Sequence, residues 1–292
     1  MRIGLILFLF ALSGLPGSAQ DFSFVFMTDI HVKPEAGAAK GFRKAIDTAN
    51  TLPADFVLMG GDLVFDVMRG NRGRGDTLFR LYKETARHFR QRVYPCIGNH
   101  ELFGIYAESG LDSTDPDYKY GMYERYLGPT WYSFDHKGWH FIVLNSIDAK
   151  DYKYYGVIGP EQMAWLKKDL AALPAGMPIV LVTHIPLVSA FQQLNPPKTA
   201  PADVNGLWVS NRNEVLALFD TLNLKLVLQG HLHWLEDLYL NNKTHFITGG
   251  AIAGRPSWRG TRHEEEGFLH IKIVKGEVKW DYIDYGWEVM PE

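Results

Sequence analysis

The stretch "FSFVFMTD", Phe22 to Asp29, runs through aromatic and β-branched residues as far as Met27 and then stops at Thr28-Asp29. A run so short, bulky and apolar reads as a strand buried on both faces. The same plan recurs downstream. "ADFVLMGGD" ends at Asp62, "RVYPCIGNH" at Asn99 and His100, "MPIVLVTHIP" runs into His184, and "LKLVLQGHLH" ends at His231 and His233. Helical spacing lies between these runs. "GFRKAIDTANTL" puts Phe42, Ile46 and Ala49 on one side, "DTLFRLYKETARHFR" is amphipathic with Asp76 as its expected N-cap, and "GPEQMAWLKKDLAAL" carries Pro160 near its first turn. "NRNEVLALFDTLN" supplies a further helix. Strands alternating with helices imply an α/β core with parallel pairing. Two hairpins, "WYSFDHKGWHFIVLNS" around Lys137-Gly138 and "FLHIKIVKGEVKWDYIDY" around Gly276, add antiparallel strands. No repeat and no linker divides the chain, so one mixed α/β domain is expected over residues 21–292.

The bulk numbers narrow the class. At 292 residues and 46% hydrophobic content the chain can bury a sizeable core and is not a disordered protein. A formal net charge of -3, from 30 basic and 33 acidic residues, gives no electrostatic argument for nucleic acid or an anionic membrane. The N-terminal "MRIGLILFLFALSGLPGSAQ" has Arg2, an apolar run from Ile3 to Leu12, and small residues before Ala19-Gln20. That is the layout of a signal peptide over residues 1–20, with the run too short to span a bilayer. Export to a periplasm or the medium is expected, with no membrane span in the mature protein. Oligomeric state leaves no mark in the sequence. Cys96 is the only cysteine, so no intramolecular disulfide can form, and its apolar neighbours make it a buried small residue rather than a nucleophile.

The polar residues at the ends of the strands carry the chemistry. In an open α/β sheet, ligands bind beyond the carboxyl ends of the strands. One Asp there is most often a turn or cap residue, and one His is usually just hydrogen-bonded. Asp29, His31, Asp62, Asn99, His184, His231 and His233, all following apolar runs, make that bland account hard to hold. Carboxylates and imidazoles without thiolates suit Zn, Mn, Fe, Co or Ni. Seven candidates exceed one tetrahedral site, whereas two ions sharing Asp62 would use them. Two ions about 3.5–4 Å apart can clamp both the attacking and the leaving oxygen of a displacement at phosphorus.

The ordered set Asp-x-His, Gly-Asp, Gly-Asn-His, His and Gly-x-His-x-His, from about Phe24 to His233, resembles the calcineurin-like metallophosphoesterase superfamily. The resemblance implies a four-layer fold, two facing mixed β-sheets flanked by helices, with a dinuclear site at one end. Carried over by motif, Asp29, His31 and His233 would hold one divalent ion, Asn99, His184 and His231 the other, and Asp62 would bridge them. A hydroxide held between the ions would attack phosphorus, and His100 would protonate the leaving oxygen or stabilise its charge. His231 and His233 would go to different ions, since Gly230 ends the strand that would otherwise point them the same way. "FIVLNS" followed by "VTHIPL" resembles the branch that includes class III cyclic-nucleotide phosphodiesterases, so hydrolysis of a small phosphodiester is expected ahead of phosphomonoester or phosphoprotein hydrolysis. A non-catalytic binding protein of this fold is the reading from another class, but such relatives usually have eroded ligands, and here every ligand type is present.

The chain departs from purple acid phosphatases, which carry tyrosine three residues after the bridging aspartate. Phe65 stands there, which predicts no tyrosinate-to-iron colour and a redox-inert pair. Glu101 stands where many relatives have aspartate. For substrate contacts, "GRPSWRG" offers Arg255, Trp258 and Arg259, an arginine pair that would suit phosphate oxygens, against the alternative of a solvated loop. Arg69, Arg72 and Arg74 in "RGNRGRG" either line the approach to Asp62 or belong to a mobile solvated loop. The tyrosine-rich stretch from Tyr106 to Phe134 could wall the mouth with aromatic faces for a base, sugar or lipid, but most of its tyrosines are expected to pack on the sheet.

Overall fold

The computed structural model describes residues 20–35, 37–194, 206–252 and 266–288. The expected N-terminal signal segment, and Arg255, Trp258 and Arg259, lie outside them. The first half holds β1 (Phe22–Met27), α1 (Ala38–Ala49), β2 (Phe56–Met59), α2 (Arg72–Ala86), β3 (Arg92–Tyr94) and α3 (Gly121–Leu127). Next come β4 (Tyr132–His136), β5 (Trp139–Val143), β6 (Ile147–Lys150), β7 (Lys153–Gly156), α4 (Pro160–Ala171), β8 (Pro178–Val182) and α5 (Phe191–Leu194). The chain continues through α6 (Arg212–Ala217), β9 (Asn223–Gln229), β10 (Glu236–Leu240), β11 (Thr244–Thr248), β12 (Gly267–Val274) and β13 (Glu277–Asp284).

The strands form two large mixed sheets, in the orders β13-β12-β1-β2-β3 and β10-β11-β9-β8-β5-β4, and β6-β7 pair separately. β1, β2 and β3 run parallel, as do β5, β8, β9 and β11. The two hairpins read from the sequence supply antiparallel edges, β4 on β5 and β13 on β12. This is the expected α/β architecture.

Strand periodicity explains why two sheets face each other. Along β1, Phe22, Phe24 and Phe26 enter one core with Phe56 and Leu58 of β2, Phe141 and Val143 of β5, and Leu226 and Leu228 of β9. The alternate residues Val25 and Met27 enter another, with Phe42 and Ile46 of α1 and Leu78 and Phe79 of α2. Successive strand residues point to opposite faces, so a strand apolar at every position must be covered twice. The rings between the sheets meet edge to face, Phe24 on Phe141 at 5.6 Å and Phe56 on Phe141 at 5.3 Å. Each such buried ring contributes roughly 1.5–3 kcal/mol. Cys96 is buried there, as expected of a small apolar residue.

Two clasps join the sheets. Trp280 Nε1 of β13 donates to Asp237 of β10 at 2.8 Å. Asp55, just before β2, accepts from His136 Nε2 at 2.7 Å and Lys137 Nζ at 2.6 Å at the end of β4.

Three local features differ from the sequence reading or were absent from it. α2 starts at Arg72, with Asn71 rather than Asp76 as cap: Asn71 Oδ1 accepts from Arg74 N at 2.9 Å. Arg72 pairs with Asp115 and Asp117, and Arg74 with Glu35, which secures a first turn that contains Gly73 and Gly75. "RGNRGRG" is therefore partly helix, and two of its arginines are committed to ion pairs away from Asp62. Second, "SIDAKDYKYYGV" forms the β6-β7 hairpin. Its turn residues Asp151 and Tyr152 have φ of 50° and 59°, the left-handed pair of a two-residue turn that usually carries Asn or Gly. Third, the helix read over "NRNEVLALFDTLN" is only Arg212–Ala217, and β10 is a strand left unassigned by the sequence reading. No helix among the described residues is long and apolar enough to cross a membrane.

Candidate metal centre

β1, β2, β3, β8 and β9 all deliver their carboxyl ends to one edge of the sheets. Past β1 and β2 the parallel pairing continues into the loops, with Asp29 N donating to Gly61 O at 3.0 Å and His31 N to Asp62 O at 2.9 Å. Within the six-stranded sheet, Gly230 N donates to His184 O at 3.0 Å, tying the β9 end to the β8 end. His231 N donates to Asp29 Oδ2 at 2.9 Å, and His100 N to Asp62 Oδ1 at 2.9 Å. Each carboxylate is thus held by the backbone of a distant loop before any ligand is considered.

Three clusters result, in each of which the ligand atoms lie within 4.8 Å of one another: Asp29, His31 and His233; His31, Asp62 and His100; Asp62, His184 and His231. His31 and His233 point their Nε2 atoms at each other across 3.0 Å, with Asp29 Oδ1 at 3.8 and 3.2 Å. On the other side His184 Nε2 lies 3.2 Å from Asp62 Oδ2 and 3.1 Å from Asn99 Oδ1. All seven side chains singled out as ligands in the sequence converge. His231 and His233 part company as expected, one beside His184 at 5.1 Å between rings and one beside His31 at 5.0 Å.

Backbone geometry makes this convergence possible. Asp29, His31, Asp62, His231 and His233 have φ of 55°, 50°, 51°, 72° and 49°. Non-glycine residues seldom adopt this left-handed conformation, and it gathers at functional sites where the surroundings impose it. Two glycines permit the close approach. A Cβ on Gly98 would fall on the backbone nitrogen of Asp62, and one on Gly230 would fall on Thr28 Oγ1 and come within 2.8 Å of Asp29 Oδ2.

The donor set fits divalent cations. His184 Nδ1 donates to Gly60 O at 2.7 Å, which turns Nε2 toward Asp62 and Asn99. That is how an outer partner fixes the tautomer of a ligating imidazole. Burial alone would raise the Asp29 carboxyl, but His233 holds it at about 2, and His184 and His100 hold Asp62 well below the carboxylate range. Burial also pushes His231 down to about 4, helped by His184, and His31 well below 6.5, helped by His100. Ionised carboxylates beside neutral imidazoles are the protonation states that a metal requires. His184 alone is pushed up, to about 9, because Asp62 outweighs its burial. An ion there must displace a proton.

His100 sits at the border of the cluster. Its Nδ1 hydrogen-bonds to the Phe65 carbonyl, which leaves Nε2 facing Asp62 Oδ2 at 3.9 Å. An open 480 Å³ cleft begins here, bounded by Asn99, His100, Phe65, Arg69, Tyr106 and Tyr154. Of the three arginines considered, only Arg69 lines it. Phe65 presents a phenyl ring 6.2 Å from the His100 ring and carries Lys33 Nζ on its face at 4.4 Å. Glu101 turns away from the cluster and accepts from Val64 N at 2.9 Å and Gly98 N at 2.7 Å, pinning the loop of Asp62 to the loop of Asn99. Among the other tyrosines of the 106–134 stretch, Tyr123 is buried in the core and Tyr126 stacks on Phe79, the packing role expected of them. Tyr154 was not legible as a site residue: it stands on a strand hidden by its unusual turn.

The model of the calcineurin-like phosphoesterase family matches residues 22–235. No curated protein matches the sequence. A dimetal phosphatase from Danio rerio is similar in structure, with a TM-score of 0.58 and 15% identity over 91% of this chain and 99% of that one. GAP50, the anchor in the inner membrane complex of Plasmodium, has a TM-score of 0.54 and 15% identity over 92% of this chain and 86% of its own. The phosphopantetheinyl hydrolase of Mycobacterium tuberculosis has a TM-score of 0.51 and 14% identity over 80% of this chain and 91% of its own. At such identities these likenesses speak for the fold.

Proposed function

The chain belongs to the calcineurin-like phosphoesterase family, and from that premise we propose that it is an exported phosphodiesterase working at a pair of divalent ions. The observation that carries this reading is Asp62, whose carboxylate belongs to two of the three clusters. Asp29, His31 and His233 would hold one ion, Asn99, His184 and His231 the other, with Asp62 shared. Mn, Zn, Fe, Co and Ni all suit these donors. The ions, when bound, supply Lewis acidity at phosphorus and lower the pKa of the attacking water.

The remaining work falls to the chain. The seven ligands fix where phosphorus can sit. His100, anchored through Nδ1 to the Phe65 carbonyl, presents Nε2 to the leaving oxygen and protonates it. A diester carries a group on each side of phosphorus, and the cleft beside His100 has room for one. Phosphomonoester hydrolysis is the second reading, favoured by the likeness to a dimetal phosphatase.

Turnover of bis(p-nitrophenyl) phosphate against p-nitrophenyl phosphate, with Mn or Zn added, separates the two. The diester is expected to be cleaved faster. Preference for the monoester would replace the first reading with the second, and cleavage of neither would end both in favour of a non-catalytic protein of this fold. Export is tested by N-terminal sequencing of the mature protein, expected to begin near Ala19 or Gln20.

A further inference from the structure

The cleft beside His100 has walls that hydrolysis alone does not require. Phe65, Tyr106 and Tyr154 give it three aromatic faces, with Met68 beside them. The Tyr154 ring is held on two sides. A Cβ on Gly206 would come within 2.8 Å of Tyr154 Cε2, and the ring of His231 meets it at 5.9 Å and 87°. The Tyr106 ring carries the Arg69 guanidinium 5.2 Å from its centroid. Neither tyrosine hydroxyl has a hydrogen-bond partner among the described residues, although both rings line the cleft. Phenol groups in a recess normally find a partner, and two on rings that line one space can serve a ligand there as donors.

Charge narrows the ligand. Arg69 is paired with Asp66 and lies 3.8 Å from Glu108, so its charge is already met by carboxylates rather than held in reserve for a polyphosphate. Flat walls with hydroxyl donors suit a planar ring bearing acceptor atoms.

The geometry points to Tyr106 and Tyr154 as specificity-determining residues that bind a planar aromatic leaving group, their rings packing against it and their hydroxyls donating to its acceptor atoms. This rests on the phosphoesterase reading, because His100 defines the leaving-group side.

Phosphonates test it, since their P–C bond removes turnover from the measurement. In titration calorimetry on the Mn-loaded protein, phenylphosphonate is expected to bind roughly tenfold tighter than methylphosphonate, the scale of one aromatic contact. Tyr106→Ala and Tyr154→Ala should bring that ratio close to one. Tyr154→Phe, the variant least disturbing to the fold, should keep the phenyl preference and lose the added affinity for 4-nitrophenylphosphonate. Equal binding of the two phosphonates to wild type, or a ratio unchanged in the alanine variants, overturns the assignment and leaves the metal-site reading standing. Failure of methylphosphonate to bind at all overturns both.

Discussion

Asp62 joins what the rest of the site keeps apart. One oxygen accepts from His100 N and the other faces His184, so the side chain has no freedom to relax onto a single cluster. Asp62→Asn preserves shape and removes the charge. It is expected to lower metal-dependent hydrolysis by about two orders of magnitude or more, with less metal bound per chain by elemental analysis. Full activity in that variant would dissolve the shared-ligand assignment. Gly98 makes a complementary case. Its φ of -112° suits any residue, so only the space occupied by Asp62 forbids a side chain. Gly98→Ala should cost about 1–3 kcal/mol of stability in urea unfolding and displace Asp62, weakening metal binding with no ligand removed.

At the scale of elements, ion pairs join segments far apart in sequence. Asp117 is buried and accepts from Arg125 Nε at 2.8 Å while also pairing with Arg72, which joins α3 to the start of α2. Asp117→Ala leaves Arg72 with Asp115 and Arg125 with Asp76 but unties α3 from α2, and should cost about 1 kcal/mol in urea unfolding. The Asp55 clasp makes a pH prediction. Burial would raise its carboxyl, but Lys137 and His136 draw it below the usual 3.8. The unfolded chain therefore binds more protons in that range. The clasp's contribution is present above pH 3.8 and lost as the pH falls through the folded value. Asp55→Asn should be less stable than wild type at neutral pH, and the gap should close in acid. A gap that widened in acid would contradict the clasp. These clasps also show where sequence reading failed. α2 begins early because Arg72 and Arg74 find partners far along the chain, while local glycines argue for a loop. The β6-β7 hairpin went unread because Asp151 and Tyr152 fill a turn that favours Asn or Gly, and Tyr154 was lost with it.

Across the whole molecule, the convergence of the strand-end carboxylates and imidazoles was legible because the same physics repeats at each strand. An apolar run must end where the sheet ends, and polar residues placed there converge whatever their distance in sequence. That Phe65, Tyr106 and Tyr154 would wall one cleft was not legible, since they meet only through tertiary packing. The folded state alone assembles the clusters, so divalent ions should stabilise it by mass action. At a hundredfold excess over Kd the gain is about 2.7 kcal/mol, a rise in Tm of roughly 5 °C or more. Differential scanning fluorimetry of chelator-treated protein, with and without Mn or Zn, should show the rise and its reversal by excess chelator. An unchanged Tm at saturating metal would count against any ion-binding role.

The left-handed backbone at Asp29, His31, Asp62, His231 and His233 works as a record of selection. Glycine would sit at each of these positions at lower conformational cost, so the side chains persist only while the chemistry repays the strain. In descendants released from that chemistry, these five positions should drift to glycine or asparagine before the buried strands change, and the fold should grow more stable as the site disappears.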